Sequence, residues 1–124
     1  VLSLAQVFLR GQRATPGRAL VDAGCTVAVA TDCNPGTAMS TDLPLAAGMA
    51  VTQCGLSAEE AIFGVTAHAA KALRLPDRGV VAAGKRADLV IVDGTTPLEL
   101  VYRWGDARAY AVVAQGKQVV KPPR

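Results

Sequence analysis

The segment from Thr26 to Thr31 places the strongest constraint on the fold of this 124-residue chain. Its sequence, TVAVAT, consists of small and β-branched residues on both alternating faces. A strand with one face in water alternates apolar and polar residues, whereas an uninterrupted run of this kind is typical of a buried strand in a parallel sheet. The run leads directly into Asp32 and then into the turn sequence Asn-Pro-Gly at residues 34–36. Because parallel α/β folds carry their functional groups at the carboxyl ends of strands, the sequence predicts the candidate site at this point.

The residues around this run predict an α/β arrangement. Residues 1–9 are apolar and compatible with a strand, and Pro16 suits the first turn of a helix that continues over residues 18–23. Strand, helix and strand in this order form a βαβ unit with parallel strands and a right-handed crossover. After the loop, Asp42 is expected to cap a largely apolar helix over residues 43–54.

A further helix is predicted from the capping box that Ser57 and Glu60 can form. The helical spacing of apolar residues continues to residue 73 and predicts one uninterrupted helix with one buried side. The predicted buried stripe consists of Ile62, Val65, Ala69 and Leu73, and the opposite side carries Glu60, Gly64 and Lys71.

The character of the chain changes after residue 75. The sequence predicts strands over residues 87–92, 109–115 and 118–121, with a tight turn at residues 116–117 between the last two. No helical pattern separates these strands, so they are expected to pair antiparallel. We therefore divide the chain into an α/β part, residues 1–75, and a β-rich part, residues 76–124.

Composition limits the classes of function. Hydrophobic residues make up 51% of the chain and charged residues 19%, which is typical of a folded globular protein. The net charge of +3 is scattered without a dense basic block, which argues against a nucleic-acid partner. No apolar run approaches the ~20 residues that span a bilayer, which argues against a membrane partner. The three cysteines show no CxxC spacing, as expected of reduced thiols in a cytoplasmic protein.

The loop sequence also resembles a known family. DCNPGT at residues 32–37, preceded by an apolar strand, is similar to the loop after the eighth barrel strand of imidazolonepropionases, a family of metal-dependent amidohydrolases. TAHAAKALRL at residues 66–75 and GKRADLVIVDG at residues 84–94 resemble segments common across that superfamily. One departure lies at residues 3–6, where the family has a turn containing Pro-Gly. The resemblance implies the last strands and helices of a (β/α)8 TIM barrel over residues 1–75, followed by a β-rich segment of a small composite β-sandwich domain over residues 76–124.

The resemblance also implies a reaction, a metal and a set of site residues. The family hydrolyses the cyclic amide of 4-imidazolone-5-propanoate to N-formimidoyl-L-glutamate in histidine degradation, with one divalent metal, zinc or iron. Asp32 falls on the position of a metal ligand that also serves as the catalytic base, and Asn34, Gly36 and Thr37 fall on positions that bind substrate. Complete enzymes of the family are much longer and can form homodimers. The chain is therefore expected to be a C-terminal portion that is inactive in isolation.

Other interpretations of the same residues remain open. Without the resemblance, Asp32 can be an Asx-turn residue, and residues 34–36 can be a plain turn. The single histidine, His68, has no second ligand at HxxxH spacing and is expected to be an ordinary helix residue. The alternative functions are another amidohydrolase or aminohydrolase acting on a nitrogen heterocycle, and a non-catalytic binding module.

Overall fold

The computed structural model describes residues 1–11, 14–106 and 109–120. Helices pack around one central helix in the first part of the chain, and a three-stranded sheet follows. Over the described ranges, no helix combines the length and the apolar character that crossing a membrane requires. In chain order the elements are α1 (Ser3–Phe8), α2 (Gly17–Asp22), α3 (Leu43–Cys54), α4 (Ala58–Val65), α5 (Ala67–Ala72), β1 (Leu89–Val92), α6 (Glu99–Tyr102), β2 (Ala109–Ala114) and β3 (Lys117–Val120).

Helix α3 is the centre of the core. The Asp42 side chain caps its start by accepting a hydrogen bond from the Leu45 N–H at 2.9 Å, and Gly55 ends it with a φ of 71°. The prediction for residues 43–54 is therefore confirmed. Its buried alanines, Ala46, Ala47 and Ala50, are fully inaccessible, and their small size lets α1, α4 and α6 pack closely against α3.

The capping box at Ser57 and Glu60 is also confirmed. The Glu60 N–H donates to Ser57 Oγ at 3.1 Å, and the Ser57 N–H donates to Glu60 Oε2 at 2.7 Å. Arg18 of helix α2 completes the arrangement, because its two Nη atoms lie 2.9 and 3.1 Å from the Glu60 carboxylate. A single carboxylate thus both caps α4 and connects it to α2.

This arrangement predicts an acid-dependent loss of stability. The hydrogen bonds from Arg18, and then from the Ser57 backbone, lower the pKa of Glu60 below its ordinary value of 4.5. A carboxyl with a lowered pKa stabilises the fold above that ordinary value and loses its contribution as the pH falls through the lower, folded-state value. We expect urea unfolding of Glu60→Gln to show a flatter stability profile below pH 4.5 than that of the unsubstituted chain. Parallel profiles would contradict the assignment.

The predicted helix to residue 73 is interrupted at Thr66. The φ and ψ of Thr66 are −122° and −95°, and its hydroxyl donates to the Ile62 carbonyl at 2.7 Å, so α4 and α5 are separate helices. The predicted buried stripe was wrong at Leu73, which is 69% exposed. The buried positions of α4 and α5 are Ala61, Gly64 and Ala70.

The predicted strands at residues 1–9 and 26–31 were also wrong. Residues 3–8 form helix α1, whose Ser3 hydroxyl is buried and donates to the Ala46 carbonyl at 2.7 Å. Residues 26–31 lie in no strand ladder. On one side Val1 exchanges hydrogen bonds with Ala28 and Ala30, and on the other the Val29 N–H donates to a helix carbonyl. A β-ladder needs a partner segment of comparable length, and the described residues provide only Val1 there. The βαβ unit is therefore absent from the described part of the chain.

The C-terminal strands are antiparallel, as predicted, in the order β1-β2-β3. The turn before β3 is formed by Gln115 and Gly116, which have positive φ angles of 53° and 75°, so it begins one residue earlier than expected. Position 121, at the end of the third predicted strand, lies outside the described residues.

Helix α6 was not predicted, and it connects the C-terminal part to the central helix. Its Val101 is 6% exposed and packs in one cluster with Ala47 of α3 and Ala61 of α4. Gly48 makes the close approach feasible, because a Cβ there would lie only 2.6 Å from the Val101 carbonyl oxygen. The last part of the chain therefore shares a core with the helices.

Candidate active site

The candidate site is the loop of residues 32–37, directly after the extended segment of residues 26–31. Val27 and Val29 are buried and fix this segment against the core, which leaves Asp32 at its end, half-buried. The φ of Asp32 is 53°, a left-handed conformation that is uncommon for a residue with a Cβ and is tolerated best by Asn and Asp. Within the described ranges, no hydrogen bond or ion pair involves its carboxylate. That group is therefore free to bind a ligand.

Asn34 determines the shape of the loop. Its Oδ1 accepts the N–H groups of Gly36 and Thr37 at 2.9 and 2.8 Å. Its Nδ2 donates to the Asp32 carbonyl at 2.6 Å and to Thr37 Oγ1 at 2.9 Å. Its backbone closes the loop, because the Asn34 N–H donates to the Ala38 carbonyl at 3.0 Å. One side chain thus connects both ends of the loop.

These bonds show which predicted site residues lie together. Asn34, Gly36 and Thr37 form one compact unit, and the Asp32 side chain lies outside its hydrogen bonds. Both Nδ2 protons and both carbonyl lone pairs of Asn34 are used within the loop. A direct contact between that side chain and a substrate would therefore have to replace one of these bonds, and the substrate-binding role of all three residues remains a prediction.

Sequence reasoning missed three residues that support the extended segment. The Gly64 carbonyl accepts the Val29 N–H at 3.0 Å, and Lys71 Nζ donates to Thr26 Oγ1 at 3.1 Å. Between them, Nδ1 of His68 lies 3.1 Å from the Val27 carbonyl oxygen. His68 and Lys71 lie on α5 and Gly64 lies on α4, and no local sequence pattern indicates that all three face the extended segment.

The described residues can provide part of a metal site. A carboxylate is an established ligand of zinc and iron, and that of Asp32 has no competing partner among the described residues. Over the same residues, no group of three or more His, Cys, Asp or Glu side chains lies close enough to hold a metal ion. Protein metal sites with a catalytic role usually have three protein ligands. Asp32 therefore fits as one ligand of such a site, and the described residues supply no complete set.

A second group of charged residues serves the fold. Asp88 Oδ1 accepts the Gln115 N–H at 2.8 Å, and Asp88 Oδ2 lies 2.7 Å from Arg86 Nε and 3.6 Å from Arg78 Nη1. The hydrogen bond from Gln115, assisted by Arg86, lowers the pKa of Asp88. These contacts connect residues 78–88 to the sheet.

Several known sequences that are similar to this chain carry the same protein name. Proteins named imidazolonepropionase from Streptomyces griseus and Paracoccus denitrificans are 44% and 45% identical over 103 and 111 residues. These alignments cover 83% and 90% of this chain but 26% and 28% of the relatives. The corresponding protein of Anaeromyxobacter sp. strain K is 40% identical over 123 residues, which is 29% of its length. The chain thus spans little more than a quarter of the length of these relatives.

Solved structures and a family profile agree with the sequence relatives. A 5-methylcytosine deaminase from Klebsiella pneumoniae, liganded with 5-fluorocytosine, superposes with a TM-score of 0.74 at 26% identity and covers 89% of this chain and 28% of that one. E. coli guanine deaminase superposes with a TM-score of 0.77 at 17% identity over 98% of this chain and 33% of that one, which shows a shared fold. The profile of the amidohydrolase family matches residues 6–119. The chain belongs to the amidohydrolase family.

Proposed function

We propose that this chain is the C-terminal portion of an imidazolonepropionase. That enzyme hydrolyses the cyclic amide of 4-imidazolone-5-propanoate to N-formimidoyl-L-glutamate in histidine degradation. The observation that carries the proposal is the 44% identity to a protein of that name over 103 of these 124 residues. An aligned stretch of that length within this chain necessarily includes residues 32–37, where the free carboxylate lies.

Asp32 has the central chemical role in this proposal. A bound zinc or iron ion supplies Lewis acidity that polarises the amide carbonyl and acidifies a water molecule. Asp32 acts as a ligand of that ion and accepts the proton of the attacking water. Asp32 would then pass this proton to the ring nitrogen as the bond between that nitrogen and the carbonyl carbon breaks, so that the atoms and charges of the hydrolysis balance. The position of Asp32 at the end of a buried segment, without a competing partner among the described residues, supports this role.

The loop residues are proposed to bind the substrate. Gly36 is exposed and lacks a side chain, so a ligand can approach its backbone closely. The Thr37 hydroxyl can offer a hydrogen bond to a carboxylate or a ring nitrogen. Asn34 is proposed to bind substrate as well, by exchanging one of its loop bonds for a bond to the ligand. We include a cytoplasmic location in the proposal, with a homodimer as the candidate assembly of the complete enzyme.

A comparison of two polypeptides tests this function. We expect the complete polypeptide that carries these residues to convert 4-imidazolone-5-propanoate to N-formimidoyl-L-glutamate, detected by mass spectrometry. The 124-residue chain alone is expected to give no product, because its described residues contain no group of three or more His, Cys, Asp or Glu side chains that could hold a metal ion. Conversion by the 124-residue chain alone would contradict the proposed dependence on further residues.

The similarity to two deaminases supports a second candidate, an aminohydrolase acting on a nitrogen heterocycle. The same preparation should therefore be tested with cytosine, 5-methylcytosine and guanine, and ammonia release should be measured. Ammonia release from one of these bases, with no turnover of the imidazolone, would favour the second candidate. The identities of 26% and 17% to the deaminases, against 40–45% to the three imidazolonepropionases, favour the first.

A further inference from the structure

The side of α4 and α5 that faces the extended segment contacts it at three successive points. Lys71 bonds to Thr26, His68 lies against Val27, and the Gly64 carbonyl accepts the Val29 N–H. Because the segment ends at Asp32, anything that fixes its position along its own axis also fixes where the carboxylate lies.

Of the three contacts, the hydrogen bond between His68 and the Val27 carbonyl involves a buried acceptor and a side chain that also packs on a neighbouring ring. A carbonyl oxygen only accepts hydrogen bonds, so the Nδ1 atom 3.1 Å from the Val27 oxygen carries a proton and donates it. Val27 is 6% exposed, and burial strengthens a hydrogen bond to its carbonyl. The imidazole also stacks on the ring of Phe63, with centroids 5.9 Å apart and an angle of 28° between the ring planes.

The other contacts of residues 26–31 leave the position of this segment dependent on the hydrogen bond from His68 to Val27. Residues 26–31 lie in no strand ladder within the described chain, so repeated backbone pairing does not set their register. Gly64 allows close approach, because a Cβ there would lie 2.8 Å from Val29 Cγ2, but its carbonyl provides only one bond. The Lys71 ammonium is exposed, and such a contact is weak.

We propose that His68 is a positioning residue: by donating from Nδ1 to the Val27 carbonyl, it fixes the segment that presents Asp32 to the reaction. The assignment of a catalytic role to Asp32 rests on the proposed function. The contact itself is independent of that function, because it concerns only atoms of this chain.

Three substitutions at position 68 separate this role from simple packing. His68→Asn places an amide N–H at the same number of bonds from the backbone as Nδ1. His68→Gln places it one bond further, at the level of Nε2, and His68→Leu provides no donor. In the complete polypeptide, we expect kcat to fall about 10–100-fold for Gln and Leu, which is the range seen when a group that orients a metal ligand is lost. For Asn, we expect kcat to stay within about threefold of the unsubstituted enzyme.

Two further measurements on the same variants do not depend on turnover. The first is the hydrogen-exchange rate of the Val29 N–H, which should rise for Gln and Leu but not for Asn. The second is metal loss to a chelator, which should be faster for Gln and Leu. One outcome is that exchange and metal loss follow this pattern while neither the unsubstituted polypeptide nor any variant hydrolyses the imidazolone. In that case His68 has the proposed positioning role, and the proposed function fails. Equal exchange rates in all three variants, or changed exchange with unchanged metal retention and kcat, would overturn the positioning role.

Discussion

Replacing Asp32 by asparagine is expected to abolish hydrolysis of 4-imidazolone-5-propanoate by the complete polypeptide. The substitution keeps the size and the turn preference of the side chain but removes the negative charge and the basic oxygen. A positioned general base typically contributes about 10²–10⁴-fold to the rate, and Asp32 is also proposed as a metal ligand, so we expect kcat to fall by roughly 10³-fold or more. Steady-state kinetics with a continuous assay of substrate loss measure this effect.

A matched control separates the effect from a general loss of structure. Asp93 is an exposed residue directly after strand β1, and its backbone carbonyl accepts a hydrogen bond from Arg103 at 3.3 Å. Asp93→Asn makes the same chemical change and is expected to leave kcat unchanged. If Asp32→Asn retained more than about one tenth of the activity, Asp32 could not be the base.

The second large effect is expected at Asn34. Asn34→Ala removes the acceptor of the Gly36 and Thr37 N–H groups and the donor to the Asp32 carbonyl, so the loop loses the bonds that join its two ends. At about 0.5–1.5 kcal/mol for each hydrogen bond, the loss corresponds to roughly 10–10³-fold in kcat/KM. Both kcat and KM should change, because the loop is proposed to bind substrate and also adjoins Asp32.

Thr37→Ser is the control for this experiment, since it keeps the hydroxyl that contacts Asn34. We expect it to stay within about threefold of the unsubstituted enzyme. A rise in KM for Asn34→Ala with an unchanged kcat would mean that Asn34 only binds substrate and does not organise the loop.

Local signals in the sequence were the most informative about the fold. The cap at Asp42 and the capping box at Ser57 involve a side chain and a backbone N–H three residues apart, so the sequence contains both partners. The strand at residues 26–31 is a different kind of prediction. Its apolar character correctly indicated burial of Val27 and Val29, but strand pairing depends on which residues lie alongside, and these are set by tertiary structure.

In the candidate site, too, the local features could be predicted from the sequence and the long-range contacts could not. The turn at residues 34–36 and the carboxylate before it can be recognised from residue types, and the described hydrogen bonds of Asn34 reach at most four positions along the chain. The contact between His68 and Val27 joins residues 41 positions apart, and no local pattern specifies it. Gly64 was expected on the outer side of its helix, because a glycine carries no apolar signal; its burial against Val29 follows from the space it leaves.

The most direct test of the proposed role of Asp32 is a crystal structure of the complete polypeptide with anomalous data at the zinc and iron absorption edges. We expect one metal peak beside the loop, with an oxygen of Asp32 about 2.0–2.2 Å from the ion. A metal ion bound elsewhere in the polypeptide, with the Asp32 carboxylate outside its coordination sphere, would contradict the role of Asp32 and the function built on it.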